Sequence, residues 1–442
     1  MKKKILSLLL SAVLLLSLSL PALAAENATP VSIVFWHSMS DTAGTLIDKF
    51  VKDFNETLGM EKGITVEAVF QGQYSDATTK LNSILSAESY ADLPDVMNLD
   101  ATGKVAYYSS GAAYLLESAL KDDPSYDISQ ILDIALANWT FAGAQLGMPF
   151  AASTSIMFYN KTLLDTAGAE APQTFSDISS LDAKLPETTA DNTPLATFSV
   201  VPNTPSLANW IGQLGSDVVD KENGSEAMAE NLDCVENGAL ETFLTEWKAM
   251  YDAGALVNAP GSSDMFVAGQ LALYPTSSSN IATLLNKIGD SFELGVTYYP
   301  KVNAEASMGA TVSGSCLVMF DKQDEQKKAA SWEFVKYLAS AQVQAEFAAN
   351  TGYIPVNKGA ADVPSYQELL AQYPQYGVPL SQLSLTPATM KSVTVGPAKD
   401  FYYAIQDNVA AMLDEGWAVD EAVEIISEEL NGLLYQYKQA NP

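Results

Sequence analysis

The sequence predicts an α/β fold built on an open, mainly parallel sheet with helices on both faces. Strand-like segments alternate with amphipathic helical segments near the start of the chain. Strands are predicted over Val31–Trp36, Ile64–Phe70 and Asp95–Leu99, which are short and rich in β-forming residues. Helices are predicted around Leu46–Phe54 and over Thr78–Ala87, where apolar residues recur at the spacing of one helix face. Strands that are separated by helices in this way pair in parallel.

The carboxyl ends of these strands mark one rim of the predicted sheet. In open parallel sheets, ligands bind beyond these ends. Trp36–His37, Gln71–Tyr74 and the carboxylate of Asp100 follow the three predicted strands. We therefore expect a binding site at this rim.

The rest of the chain adds helices and a loose middle segment. Apolar stripes predict helices over Leu240–Tyr251, Gln326–Ala348, Phe401–Leu413 and Val419–Tyr437. Proline is frequent over Pro172–Pro205. A length of 442 residues favours two domains or one large one.

The start of the chain is typical of a secretory signal peptide. Three lysines precede the apolar run Ile5–Leu20, and Ala22–Ala24 supplies the small residues of a cleavage site. The run is shorter than the roughly 20 apolar residues of a membrane span. Residues 1–24 are therefore expected to be removed, leaving a secreted protein, periplasmic or at the cell surface. No cysteine lies at the cleavage site, so a lipid anchor is not expected.

Composition and charge exclude several partners. Hydrophobic residues make up 48% of the chain and charged residues 17%, which is enough apolar material for a sizeable core. Without the three signal lysines, the mature chain has 20 lysines against 53 acidic residues, a net charge near −33. Such a charge repels nucleic acids and anionic lipids, so neither is an expected partner.

Few residues are available for metal or nucleophilic chemistry. His37 is the one histidine, and Cys234 and Cys316 are the two cysteines, whose pairing the spacing does not decide. Zinc sites usually need several histidine or cysteine ligands, and no phosphate-binding glycine loop occurs, so no metal or cofactor is expected. All 23 basic residues are lysine. Because arginine is absent, no side chain can bind a phosphate or carboxylate through two parallel guanidinium hydrogen bonds. A neutral or cationic ligand is therefore favoured over a strongly anionic one.

Several motifs in order together resemble the family 1 extracellular solute-binding proteins of bacterial ABC importers. The pattern from Phe35–Met39 through Gly72–Tyr74 is most similar to the glycerol-3-phosphate-binding members. The motifs are Phe35–Met39, Leu93–Val96, Gly147–Phe150, Phe158–Lys161 with Ala167–Gly168, and Thr351–Val356.

The resemblance implies two α/β lobes joined by a hinge, in a periplasmic-binding-protein fold with the ligand between the lobes. On the family pattern, the chain crosses between lobes near Phe150, Pro275 and Ser313. The implied boundaries are 25–150 and 276–313 for lobe 1, and 151–275 and 314–442 for lobe 2.

The resemblance also implies a set of ligand contacts. Asp100 stands where a glutamate is usual and keeps the carboxylate. Ser392–Gly396 is similar to a stretch that carries a phosphate-gripping arginine, but Thr394 occupies that position here. Of an aromatic pair usual in the family, Trp210 remains. The implied contacts are Tyr74, Asp100, Ser153, Ser277, Gly314, Tyr353 and Thr394, to which Trp36 and Trp210 are added as aromatic candidates.

These residue types suit a sugar, since aromatic rings cover the apolar face of a sugar ring while a carboxylate and serine hydroxyls bond its rim. We expect a monomer that captures a neutral sugar or short oligosaccharide for an ABC importer permease, and no catalysis. The alternatives are a glycerol-3-phosphate or glycerophosphodiester binder, in which Lys391 or Lys399 contacts the phosphate, a secreted glycoside hydrolase, and a binding protein that serves a sensor. Structural roles also remain open: Trp36 in the core, Asp100 as a helix cap and Ser277 in a turn.

Overall fold

The computed structural model describes residues 30–258 and 262–440. The predicted signal peptide, residues 1–24, lies outside these ranges. The strands are β1 (Val31–His37), β2 (Ile64–Phe70), β3 (Val96–Asp100), β4 (Ala113–Tyr114), β5 (Thr140–Phe141), β6 (Ala144–Gln145), β7 (Met148–Asn160), β8 (Ala196–Phe198), β9 (Leu271–Ser277), β10 (Leu294–Thr297) and β11 (Val312–Phe320).

Helices surround these strands. The α-helices are α1 (Asp41–Glu56), α2 (Leu58–Lys62), α3 (Tyr74–Ser86), α4 (Lys104–Ser109), α5 (Leu116–Asp122), α6 (Asp133–Asn138), α7 (Lys161–Thr166), α8 (Phe175–Asp182), α9 (Thr204–Gln213), α10 (Asp233–Glu236), α11 (Ala239–Asp252), α12 (Ser262–Val267), α13 (Ile281–Ile288), α14 (Glu325–Leu338), α15 (Ala341–Thr351), α16 (Pro364–Gln372), α17 (Val378–Leu385), α18 (Ala398–Glu415) and α19 (Val419–Ala440). Short 3-10 helices occupy Tyr90–Asp92, Ala101–Gly103, Ile128–Gln130, Ser278–Asn280, Lys358–Asp362 and Pro374–Gly377.

One twisted sheet runs through the molecule in the order β2-β1-β3-β11-β7-β9-β8. β1 pairs in parallel with β2 and β3, which confirms the parallel arrangement predicted from the first alternating segments. β11 and β7 run antiparallel to their neighbours, and β8 is again parallel to β9. β4 and β10 pair with β11 and β7 off this path.

The long strand β7 divides the molecule into two α/β lobes, as predicted. Up to Thr154 it pairs with β11, opposite Val312. From Ser155 onward it pairs with β9, opposite Ser277. The first lobe therefore holds β1, β2, β3 and β11, and the second holds β8, β9 and β10.

Separate cores stabilise the two lobes. In the first lobe, Phe35 of β1 and Phe54 of α1 pack edge-on against Phe334 of α14, at ring-centroid distances of 5.3 and 5.2 Å. In the second lobe, Trp210 of α9 and Trp247 of α11 are fully buried. Burying an aromatic side chain of this size contributes on the order of 2–3 kcal/mol, so each lobe has a substantial apolar core of its own.

The strand pairing differs from the predicted lobe boundaries. Residues 276–311, expected in lobe 1, follow the second lobe, because Ile281 and Leu284 of α13 pack in one buried cluster with Ile156 and Phe158 of β7. β11 and the helices α14 and α15, expected in lobe 2, pack on the first lobe. The predicted helix Gln326–Ala348 is two helices, because Ser340 between them has extended backbone angles.

Candidate ligand-binding cleft

The strands β3, β11 and β7 meet where the two lobes join. Asp100, the last residue of β3, lies opposite Ser315 of β11. On the other side of β11, Gly314 lies opposite Ala152 of β7, and Ser313 lies opposite Ser153. Asp100, Gly314 and Ser153, three of the ligand contacts that the family resemblance implies, therefore lie on adjacent strands at this junction.

Gly314 permits the close approach of β11 to β7. Its φ of +113° lies in a region that residues with a side chain rarely adopt. A Cβ built at this position would lie 1.8 Å from the carbonyl oxygen of Ala151. Glycine at position 314 therefore allows β11 and β7 to pair where the two lobes join.

Asp100 is partly buried at the end of β3. The Thr102 hydroxyl donates a hydrogen bond to its Oδ1 at 2.6 Å. Burial raises the pKa of Asp100, while the bonds from Thr102 and the charge of Lys104 act in the opposite direction. Beside it, the side-chain amide of Asn98 donates to the Ser315 hydroxyl at 2.6 Å. The junction thus presents a carboxylate flanked by hydroxyl groups.

Lys104 is a buried cation at this junction. Its side chain is 2% exposed, and its amine donates to the Asn138 carbonyl at 2.5 Å. The amine also lies 4.8 Å from the ring centroid of Trp139. Burial lowers the pKa of Lys104 to about 8, although the nearby charge of Asp100 acts to raise it. This lysine was not predicted; its one signal is that it follows Asp100 by a helical turn.

Tyr74 and Tyr353 line a cavity of about 240 Å³ between the lobes, here called the tyrosine cavity. Gly72, with φ +82°, turns the chain after β2 so that α3 begins at Tyr74. Tyr353 stacks on Phe347 at 5.1 Å, and burial raises the pKa of both phenols. The hydroxyl of Ser38, which also lines this cavity, has no hydrogen-bond partner among the described residues.

Ser277, the last residue of β9, and the two serines that follow it form a turn beside this cavity. The Ser277 hydroxyl accepts a hydrogen bond from the Ser279 backbone N–H at 3.3 Å and lies 2.9 Å from the Ser279 hydroxyl. Ser277 therefore holds the turn, while Ser279 lines the tyrosine cavity. The sequence favoured the first serine, and the structure places the third in the cleft.

Thr394 lies in a smaller cavity of about 60 Å³, here called the lysine cavity. Lys104 and Lys391 line the same cavity. The Thr394 backbone N–H donates to the Asn223 carbonyl at 2.8 Å, which fixes this segment on the second lobe. Lys391 forms an ion pair with Glu222, and Lys399 is exposed on α18.

Both predicted tryptophans lie in cores and not in the cleft. Trp36 is 6% exposed, on the face of β1 opposite Phe35, and the amine of Lys80 lies 4.0 Å from its ring centroid. Because both faces of this parallel sheet are covered, successive residues of β1 are buried on opposite sides. Trp210 is fully buried and stacks between Phe243 and Tyr299, at 5.2 and 5.1 Å.

A family model described as bacterial extracellular solute-binding protein matches residues 49–375. The chain belongs to this family. The matched residues contain the Asp100 junction and both tyrosines of the tyrosine cavity. As a member, the protein is an extracellular solute-binding component of an importer. Among residues 30–258 and 262–440, no helix is long and apolar enough to cross a membrane.

Relatives of this solute-binding protein cover nearly its whole length. It is 22% identical to the sn-glycerol-3-phosphate-binding periplasmic protein UgpB of Yersinia pestis bv. Antiqua, over 94% of this chain and 95% of that protein. Among solved structures, UgpB from Mycobacterium tuberculosis in complex with glycerophosphocholine has a TM-score of 0.76 at 21% identity, covering 92% of this chain and 99% of that one. The cyclic alpha-maltosyl-1,6-maltose binding protein from Arthrobacter globiformis has a TM-score of 0.75 at 19% identity, with the same coverage. At these identities the structures establish the two-lobed fold.

Proposed function

We propose that this solute-binding protein captures a neutral carbohydrate, a sugar or short oligosaccharide, between its lobes and delivers it as a monomer to an ABC importer permease. The observation that carries the proposal is the junction at Asp100. There, a carboxylate accepts from Thr102 and lies across the strand pair from the Ser315 hydroxyl. Carboxylates and hydroxyls are the groups that bind the hydroxyl rim of a sugar.

Two tyrosines beside the junction supply the apolar part of the recognition. Tyr74 and Tyr353 line one cavity and come from different segments of the first lobe. Aromatic rings pack on the apolar face of a sugar ring while their hydroxyls remain available for hydrogen bonds. Closure of the lobes excludes water and strengthens these bonds in the less polar cleft.

The charges of the protein favour a neutral ligand. The chain contains no arginine, and Lys391, which lines the lysine cavity, is paired with Glu222. The net charge of −30 opposes the approach of anions, although physiological salt screens it beyond about 8 Å.

A second candidate ligand is glycerol 3-phosphate or a glycerophosphodiester. The buried amine of Lys104 favours it, because this cation lines the same cavity as Thr394. The names of the relatives point to the same ligand class. Hydrolysis of a glycoside has less support, since the family consists of binding proteins.

A thermal-shift screen separates the candidates. The purified protein is heated with neutral mono- and oligosaccharides, glycerol 3-phosphate and glycerophosphocholine. A ligand at 100 times its dissociation constant adds roughly 2.7 kcal/mol of stability. We expect the largest shift from a neutral sugar.

The phosphate candidate makes a different prediction. Because Lys104 loses its proton near pH 8 in the ligand-free protein, a phosphate bound to its amine would bind more weakly above that pH. Stabilisation by the two phosphates alone, declining above pH 8, would overturn the carbohydrate proposal.

A further inference from the structure

We infer that the cleft continues past Asp100 into a second compartment that holds further sugar units, so that the ligand is an oligosaccharide longer than a disaccharide. This inference rests on the proposed function and narrows its ligand class. The compartment, here called the far compartment, has a volume of about 840 Å³. That is three and a half times the volume of the tyrosine cavity, about 240 Å³, and lies in the range of roughly 300–1,000 Å³ that small-molecule sites occupy.

Both lobes build the far compartment. The first lobe contributes residues of α3 and α4 together with Phe141 of β5. The second lobe contributes Glu226–Met228, Gly396 and Tyr437. A ligand in this space would therefore contact both lobes, as a ligand that stabilises the closed form must.

Thr102 connects the far compartment to the Asp100 junction. It lines the compartment, and its hydroxyl donates to Asp100 Oδ1 at 2.6 Å. On its other side, the same hydroxyl lies 3.3 Å from that of Thr78. A sugar unit held by Asp100 is thus separated from the far compartment by one threonine side chain, which places the next unit of a chain inside it.

Aromatic rings are exposed in the far compartment. Tyr90 and Tyr108 are 43% and 37% exposed and both line this compartment, so their rings can contact a ligand in it. The ring of Tyr108 rests edge-on against buried Phe141 at a centroid distance of 5.2 Å, so its position is supported from behind.

The second lobe supplies an aromatic ring of its own. A Cβ built on Gly396 would lie 2.0 Å from the ring of Tyr437, so glycine at this position lets the ring lie against the backbone. Stacking surfaces on both sides of a cleft match the two apolar faces of sugar rings.

The polar groups of the far compartment favour a neutral chain. Asn82 and Ser86 on α3 and Ser109 on α4 provide hydrogen-bonding groups along its wall. The described lining contains the carboxylate of Glu226 and no lysine. The glycerophosphodiester phosphate would have no cation to pair with here, whereas sugar hydroxyls would find donors and acceptors.

A hydrogen bond between the lobes closes one wall of the far compartment. The backbone N–H of Ala142 donates to the Ser225 carbonyl at 2.9 Å, next to Phe141 on one lobe and Glu226 on the other. Ala142 has φ +50°, a left-handed conformation uncommon for a residue with a side chain. This wall encloses the space that aromatic and polar side chains line.

Calorimetric titration with oligosaccharide ladders tests the inference. The probes are malto-, cello-, xylo- and galacto-oligosaccharides from the mono- to the hexasaccharide. We expect one series to gain at least tenfold in affinity beyond the disaccharide. Tyr108→Ala and, from the other lobe, Tyr437→Ala should remove that gain and leave the affinity for the shorter sugars unchanged. Tyr435→Ala, on the exposed side of α19, is the matched control and should bind as the wild type does.

The outcomes separate this inference from the proposed function. Sugar binding that does not depend on chain length, or a length gain that both tyrosine variants retain, would overturn the far compartment as a sugar site and leave the proposed function standing. Failure of every sugar would overturn the proposed function as well. Tight binding of glycerophosphocholine that Tyr108→Ala weakens would instead assign the aromatic rings to a quaternary ammonium group.

Discussion

Replacing the buried Lys104 by methionine is expected to remove a pH dependence of stability that this one side chain creates. The folded protein releases the Lys104 proton near pH 8, whereas the unfolded chain keeps it until about pH 10.5. Between these values the unfolded state binds more protons than the folded state. The free energy of unfolding contributed by this group therefore rises with pH across this window.

The magnitude follows from the two pKa values. A difference of one pKa unit corresponds to about 1.4 kcal/mol, so the interval from about 8 to 10.5 corresponds to roughly 3 kcal/mol. Below pH 8 the charged, buried amine destabilises the folded protein by this full amount, and above pH 10.5 the destabilisation is gone. Methionine keeps the length of the side chain without the charge. It also leaves the Asn138 carbonyl without its donor, which offsets part of the gain at any single pH.

The assay is chemical unfolding followed by tryptophan fluorescence, at steps from pH 7 to pH 10.5. Buried tyrosines whose pKa values are raised, such as Tyr107, lower stability at high pH in both proteins and cancel in the comparison. Across this pH window, the free energy of unfolding of the wild type should rise by roughly 3 kcal/mol relative to that of Lys104→Met. Lys287→Met, at an exposed position of α13, should leave the pH profile parallel to that of the wild type. Equal pH profiles for wild type and Lys104→Met would refute the claim that Lys104 is a desolvated cation in the cleft.

Three further predictions concern the framework around the cleft. Trp210→Ala should lower the free energy of unfolding by about 3–5 kcal/mol and leave the dissociation constant for the captured ligand unchanged. A loss of affinity without a loss of stability would instead indicate that Trp210 contacts the ligand. Gly314→Ala should destabilise the protein by at least about 2 kcal/mol, because φ is positive and the new Cβ meets backbone, whereas Gly432→Ala, within a helix and in open space, should stabilise it slightly. A reductant should not change the melting temperature, because Cys234 and Cys316 are free and buried in different lobes; a clear decrease would indicate a disulfide.

The spacing of apolar residues and the local residue composition predicted the strands and helices at the start of the first lobe closely. The alternation of strands and helices gave β1, α1, β2, α3 and β3 in order and in parallel. Each of these elements is a local pattern that buries one or two faces. The lobe boundaries were harder, because β7 changes partner between Thr154 and Ser155 without any break in its strand pattern.

Residue type alone did not separate core aromatics from cleft aromatics. Trp36 follows Phe35 in one strand, and both are buried because helices cover both faces of the sheet. Trp210 packs against residues from helices distant in sequence, which no local pattern reveals. Tyr74 and Tyr353 were found through motifs, and both line the cleft. Lys104 was missed because its burial depends on the tertiary structure around it.

The most direct test of the central claim is the affinity of Asp100→Ala for the sugar that stabilises the wild type most. Losing a hydrogen bond to a charged group costs about 1.5–3 kcal/mol, so calorimetry should show a dissociation constant raised at least tenfold. Asp92→Ala, an exposed carboxylate in the same lobe, should bind as the wild type does. An unchanged dissociation constant for Asp100→Ala, with chemical unfolding showing an intact fold, would contradict the account and place the captured ligand away from the Asp100 junction.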